Sequence, residues 1–125
     1  MKTAPNPLFD SAGIALSALC LGHCLALPVA LALLPVLASS GLASLAEAEL
    51  FHAALLVPVF LVSGTVLGRR ALVVRWLGPL LVVALGAMTG ALFVEAEWQE
   101  QALTAGGASL LIIAHWLNLR GRVRA

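Results

Sequence analysis

Two cysteines and one histidine lie close together in the sequence and have the side chains best suited to metal chemistry. Cys20 and Cys24 are four residues apart, and His23 lies between them. In a helix, residues at this spacing share one face, so both thiols lie together with the imidazole at their flank. Thiolate and imidazole ligands suit zinc, copper(I) and other thiophilic ions, and two thiolates alone suit an ion that accepts two ligands. The spacing therefore predicts a metal site.

The residues around this motif favour free thiols in a distorted helix. Cβ atoms four residues apart on a helix are separated by about 5–6 Å, whereas a disulfide requires ~3.8 Å, so no disulfide is expected. Pro28 has no amide hydrogen and therefore leaves the carbonyl of Cys24 without its helical partner. We expect a kink that frees this carbonyl beside the thiols, since broken helices at membrane depth are tolerated where they are buried or line a cavity. Pro35 repeats the effect further along.

Four uncharged apolar runs must carry these residues. They cover residues 11–37, 50–67, 77–94 and 102–119, and each is long enough to cross a bilayer as a helix. Of the 125 residues, 62% are hydrophobic and 10% are charged, whereas a soluble domain has about 25% charged residues. This composition excludes a soluble enzyme, a nucleic-acid-binding protein and a disordered segment. We predict an all-α membrane protein in which four transmembrane helices form a bundle, as a single domain over residues 1–125.

The charged residues separate by loop and predict the orientation of the helices. The basic residues lie before the first run, between the second and third runs, and after the fourth: Lys2, Arg69, Arg70, Arg75, Arg120, Arg122 and Arg124. Acidic residues occupy the other two loops: Glu47, Glu49, Glu95, Glu97 and Glu100. By the positive-inside rule, both termini are cytoplasmic. Because no carboxylate lies inside a run to pair with a histidine, no enzymatic role is expected.

Aromatic and glycine residues indicate how the helices sit and pack. Trp76 and Trp98 lie at the ends of runs, where interfacial aromatic residues are expected. Small residues one helical turn apart let helices approach closely in lipid. Two such pairs predict helix–helix contacts: Gly64 with Gly68, and Gly86 with Gly90.

Two further histidines are candidate metal ligands. With a rise of about 1.5 Å per residue, His115 lies about 21 Å and Cys24 about 18 Å from the outer face, so the two can meet at one depth. His52 lies only about 5 Å below that face and can receive an ion first, after Glu47 and Glu49 have attracted it. Two alternatives stay open. His115 can be a hydrogen-bonded packing residue, since buried polar groups need partners, and His52 can be an ordinary interfacial histidine.

The cysteine and histidine motif also carries a family resemblance. Residues 13–28, which include Cys20 and Cys24, resemble the first helix of MerC-domain proteins, and residues 51–52 and 114–120 fit the same family. The resemblance covers nearly the whole chain. It implies a multi-pass protein of the bacterial inner membrane that carries mercuric ion into the cytoplasm. It further implies that Cys20 and Cys24 bind the ion, and that in mercury-resistance operons a cytoplasmic reductase receives it.

Two features depart from the mercury-resistance members of that family. Those members carry the first pair as Cys-x-x-Cys, whereas this chain has Cys-x-x-x-Cys with His23 inside. They also carry a second cysteine pair near the C-terminus, whereas residues 120–125 contain no thiol. Because histidines are added and the second pair is missing, zinc and copper(I) are alternatives to mercuric ion.

The expected function is inward transport of mercuric ion, or of a related thiophilic ion, with no permanently bound cofactor. The expected partners are the metal ion, the lipid bilayer, a cytoplasmic thiol acceptor and a second copy in a homodimer; no nucleic acid is expected. One alternative is a non-transporting zinc- or copper-binding or sensory membrane protein. Another is a purely structural small helical bundle.

Overall fold

A computed structural model describes residues 6–39, 41, 44 and 49–123, and within these residues the chain is helical with no strand. The long helices are α1 (Pro7–Leu33), α3 (Glu49–Ala71), α4 (Leu77–Gly90) and α5 (Glu97–Val123). A short helix, α2 (Pro35–Ala38), follows α1, and a 3-10 turn (Ala91–Phe93) follows α4. The prediction of an all-α protein is confirmed for this part of the chain. Lys2, Glu47 and Arg124 lie outside the described residues.

The second and fourth predicted runs each lie within one helix, whereas the first extends past the end of α1 into α2 and the third extends past the end of α4 and the 3-10 turn. By length and composition, three helices in the described residues can cross a membrane: Pro7–Leu33, Leu50–Ala71 and Glu97–Gly121. A shorter apolar helix covers Leu77–Phe93. At 1.5 Å per α-helical residue and 2.0 Å per 3-10 residue, it reaches about 27 Å, against a hydrocarbon core of roughly 30 Å. Helix α4 is therefore the shortest of the four long helices.

The first helix starts and ends earlier than predicted. Its N-cap is Asn6, whose side chain accepts a hydrogen bond from the amide of Leu8 at 3.2 Å, and Pro7 is suited to the first helical position. The helix continues through Pro28 and ends before Leu34, which has φ −126° and ψ 78°. Because Pro35 follows it, Leu34 is disfavoured in the α conformation. The observed helix therefore includes Asp10, which the uncharged run over residues 11–37 leaves out.

The helices run alternately up and down. Helix α1 packs against α5 and α3, and α4 packs against α5 and α3. One end of the molecule, the basic end, holds the start of α1 and the ends of α3 and α5, with Arg69, Arg70 and Arg120. The other, the acidic end, holds the starts of α3 and α5, with Glu97 and Glu100. The predicted separation of charge thus corresponds to two opposite ends of the described helices.

Close helix approach occurs at glycines other than the predicted pairs. A Cβ built on Gly64, Gly68, Gly86 or Gly90 meets nothing within 4 Å, so the prediction that these pairs pack helices together within the chain is wrong. A Cβ on Gly107 would instead collide with the side chain of Met88 and lie 2.7 Å from the carbonyl oxygen of Ala84. Helices α4 and α5 therefore meet at Gly107. The side chain of Met88 is fully buried there, as expected for a core residue.

Candidate metal site

The two thiols lie on the buried face of α1. Cys20 is 2% exposed and Cys24 is 6% exposed, and both are free, as predicted. The predicted arrangement is therefore present: the two cysteines lie one helical turn apart on the buried face of α1 and are not joined in a disulfide.

A cavity of about 230 Å³ opens beside Cys24 at the acidic end. It lies between the second half of α1 and the starts of α3 and α5, and its walls combine sulfur, imidazole and carboxylate groups. Its lining residues are His23, Cys24, Leu27, Pro28, His52, Glu97, Glu100 and Gln101. Pro28 lies in this wall one turn beyond Cys24, so the carbonyl of Cys24 that lacks its helical donor lies next to the cavity. Cys20 is not part of the wall and lies one turn deeper along α1.

Two histidines lie beside the exposed side of the thiol pair. Nε2 of His52 is 3.7 Å from Sγ of Cys24 and 3.9 Å from Oε1 of Glu100. The rings of His23 and His52 are 5.1 Å apart between centroids. The structure therefore brings His52, His23 and Cys24 together around one cavity, although they come from two helices.

The side chains around this cavity are not arranged as a metal site with three or more ligands. Within the described residues, no three His, Cys, Asp or Glu side chains are grouped closely enough to hold a metal ion. A zinc site with its usual four ligands would therefore require side chains to move. Cys20 and Cys24 alone offer two sulfur ligands to an ion that accepts two.

His115 lies elsewhere and does not reach the thiols. Its Nδ1 is 2.9 Å from Oδ1 of Asp10, and its Nε2 is 3.1 Å from Oγ of Ser63. Nδ2 of Asn118 donates to both carboxylate oxygens of Asp10, at 2.9 and 3.0 Å. We call these four residues, Asp10, Ser63, His115 and Asn118, the buried polar cluster. It corresponds to the alternative in which His115 is a hydrogen-bonded buried residue.

Asp10 is the residue that sequence reasoning missed. The expectation that no carboxylate lies inside a span is wrong, because α1 begins at Pro7 and Asp10 is 0% exposed. Two signals pointed to it. Asn6 followed by Pro7 is a helix start, and Asp10 lies at helical spacing from Gly13, Ser17 and Cys20 on one face.

Three members of this cluster have the connectivity of a hydrolytic triad, from Ser63 through His115 to Asp10. All three are fully buried, and none of them lines the cavity beside Cys24. A nucleophile must contact its substrate, so this arrangement does not support acyl transfer.

The sequence comparison decides the family. The family model described as MerC mercury resistance protein matches residues 10–120. The chain belongs to the MerC family. The MerC match includes both cysteines, the residues that line the cavity and the whole buried polar cluster. No curated protein and no solved structure matches the chain. Its MerC membership, together with its long apolar helices, makes the protein a multi-pass membrane protein of a mercury-resistance family.

Proposed function

We propose that this MerC protein carries mercuric ion, or a related thiophilic metal ion, across the bacterial inner membrane into the cytoplasm. The observation that carries the proposal is a pair of free, buried thiols one helical turn apart, Cys20 and Cys24, of which Cys24 lines a cavity. The direction rests on charge, because the positive-inside rule assigns the basic end to the cytoplasm. The protein then acts as a carrier and not as an enzyme.

The first step is attraction of the cation to the acidic end. Glu97 and Glu100 line the cavity, and carboxylates that line a cleft raise the local concentration of cations. The imidazole of His52 lies between Glu100 and Cys24. It is therefore suited to take the ion from the carboxylate region and pass it to sulfur, with His23 beside it.

The second step is binding by the two thiols. Each thiol loses its proton when it binds a metal ion, so one divalent ion replaces two protons. The resulting complex of one divalent ion with two thiolates has no net charge. Neutrality matters here because an unpaired charge inside a membrane is expensive. A monovalent copper ion between two thiolates would leave one negative charge, which makes a divalent ion the better match.

The third step is release to a thiol on the cytoplasmic side. A thiolate acceptor can take the ion by ligand exchange, since soft metal ions are bound through thiolate. The family resemblance implies that, in mercury-resistance operons, a cytoplasmic reductase then receives the mercuric ion. Ligand exchange and the ion gradient then supply the driving force.

The test is ion uptake into proteoliposomes that contain the purified protein. Mercuric, zinc and copper(I) ions are compared for the wild type, the Cys20→Ser/Cys24→Ser double variant and a matched Gly22→Ala control. Gly22 lies on the same helical turn, and a Cβ added there would meet no atom within 4 Å. We expect saturable mercuric-ion uptake in the wild type and the control, and background uptake in the double variant. Uptake that is independent of both thiols would contradict the proposal.

A second candidate is a binding or sensory protein that holds zinc or copper(I) without transport. It is favoured by the closed basic end, where the buried polar cluster joins three helices. In the same experiment, this candidate predicts stoichiometric metal binding that needs both thiols, with no accumulation inside the vesicles for any of the three ions.

A further inference from the structure

The buried face of α1 stays polar beyond the thiols. Its buried residues are Asp10, Gly13, Ser17, Cys20 and Cys24, which follow one another at helical spacing. From the cavity towards the basic end, this face therefore presents two thiols, one hydroxyl and one carboxylate. A polar face buried in a membrane helix is typical of an ion or proton pathway.

Ser17 lies between the thiols and the buried polar cluster. Its side chain is 0% exposed, and within the described residues its Oγ has no hydrogen-bond partner. A buried hydroxyl without a partner is unfavourable. Ser17 therefore has an unused polar atom on the same face as Cys20, one turn nearer the basic end.

Just beyond Ser17, towards the basic end, the space between α1 and α5 is closed. The imidazole of His115 lies directly against Gly13, so that a Cβ there would collide with the ring and lie 2.7 Å from Cδ2. At this level, α1 and α5 leave no room for an ion. One turn further, Asp10 joins α1 to Asn118 of α5, and Ser63 joins α3 to the same imidazole.

We propose that the buried polar cluster is the inner gate of the metal pathway. In the closed arrangement, Asp10, Ser63, His115 and Asn118 keep the thiols accessible from the acidic end alone, and separation of α1 from α5 at this cluster delivers the ion to the basic end. The inference rests on the transport role proposed above. It adds four gate residues that do not bind the ion in the closed arrangement.

A polar closure suits a gate better than an apolar one. When water enters, each hydrogen bond within the cluster can be replaced by a hydrogen bond to water, so its net contribution to the closed state is small. The oxygen of Ser17 would gain a partner in the same step. Transport also requires that one end be closed while the other is open, and the described helices have a cavity at one end and a closure at the other.

The alternative is that the cluster only anchors α1 in its place. An anchor holds the whole helix, so weakening it exposes the thiols from both ends or unfolds the protein. A gate acts on one end. The two therefore differ in the side from which the thiols become reactive.

The experiment measures thiol labelling from each side of the membrane. The chain has 2 cysteines, so a membrane-impermeant maleimide reports on the metal site alone. Wild type, Asp10→Asn, Gly13→Ala and the control Gly22→Ala are compared in right-side-out and inside-out vesicles. Asp10→Asn keeps the shape of the side chain but loses one acceptor for Asn118. Gly13→Ala pushes the imidazole off α1, so that the gate is weakened in a second way.

In the wild type and the control, we expect labelling from the acidic end to be faster. Asp10→Asn and Gly13→Ala should raise the rate from the basic end by about tenfold or more, which is ~1.4 kcal/mol of gate stability, and change the other rate by less than about twofold. Equal rates from both ends in the wild type would overturn the gate, as would variants that raise both rates together or neither. Absence of mercuric-ion uptake with gate-dependent labelling would contradict the transport proposal alone.

Discussion

The two ends of the molecule use histidine in opposite ways. At the acidic end, the side chain of His52 is 19% exposed and lies between Cys24 and Glu100, beside a cavity. At the basic end, His115 is 0% exposed, and hydrogen-bond partners meet both of its ring nitrogens. The first histidine borders a cavity and a thiol, whereas hydrogen bonds hold the second on both sides of its ring. An imidazole in a membrane helix is therefore not by its presence a metal ligand, and its neighbours decide its role.

The largest effect should come from removing the carboxylate at the basic end. Asp10→Ala leaves His115 and Asn118 without their shared acceptor in a fully buried position. A buried donor that loses its acceptor costs about 1–3 kcal/mol, and here two residues lose theirs. Thermal unfolding of the purified protein in detergent measures the loss, with Glu97→Ala at the exposed acidic end as the control. Equal melting temperatures for the two variants would contradict the expectation that the carboxylate at the basic end stabilises the protein more than the one at the acidic end.

Replacing two glycines of α1 by alanine should change the stability of the protein in opposite directions. Gly13 lies against the imidazole of His115, so Gly13→Ala overpacks the basic end and should destabilise the protein by about 1–3 kcal/mol. Gly22 faces open space, so Gly22→Ala should stabilise the helix by about 0.5–1 kcal/mol. Thermal unfolding of the two variants side by side measures this difference. Destabilisation of the same size in both would show that the close contact at Gly13 does not matter.

His52 and His115 should differ in their effect on metal affinity. His52→Ala removes a group that touches Cys24, and loss of such a supporting partner typically weakens metal binding by about 10–100-fold. His115→Gln keeps a polar side chain in the buried polar cluster and should leave mercuric-ion affinity unchanged. Competition against a small dithiol in detergent gives both values. A larger loss for His115→Gln would restore it as a ligand and reverse the comparison.

The smallest effect should come from removing the charge of Glu100, which lines the cavity at the acidic end. Glu100 is partly exposed, so Glu100→Gln should slow mercuric-ion uptake by about twofold to fivefold at low salt, in the range of an exposed charge pair. The effect should disappear near 1 M salt, where the screening length falls to about 3 Å. Uptake measured at several salt concentrations is the check, and a loss that persists at high salt would point to direct ligation by the carboxylate.

Much of the acidic end could be predicted from the sequence, because its geometry is local. Cys20 and Cys24 share a helix face wherever that helix lies, and their distance excludes a disulfide. The position of His52 near the start of the second run placed it at the same end as the acidic loops. Its contact with Cys24 needed the additional fact that α1 and α3 pack together.

The basic end could not be predicted because it depends on how helices are aligned with one another. The depth argument for His115 counted the depth of Cys24 back from Val36, but α1 ends at Leu33. In the structure, Gln101 lines the same cavity as Cys24, so His115 lies fourteen residues, or about 21 Å, below that level. Gly13, and not Cys24, therefore faces it. Similarly, the spacing of Gly64 and Gly68 shows that they share one face of a helix. It does not show whether another helix packs against that face.

The short α4 has a consequence for the surrounding lipid. With its 3-10 turn, the apolar helix Leu77–Phe93 falls short of an average hydrocarbon core by roughly 3 Å. A short span is accommodated by a thinner bilayer or by flanking side chains that reach the interface, at a cost of a fraction of a kcal/mol per ångström. Hydrophobic mismatch thus favours this protein in thin membranes, and reconstitution into lipids with longer acyl chains should strain α4 first. The choice of lipid is consequently a variable in every transport measurement on this chain.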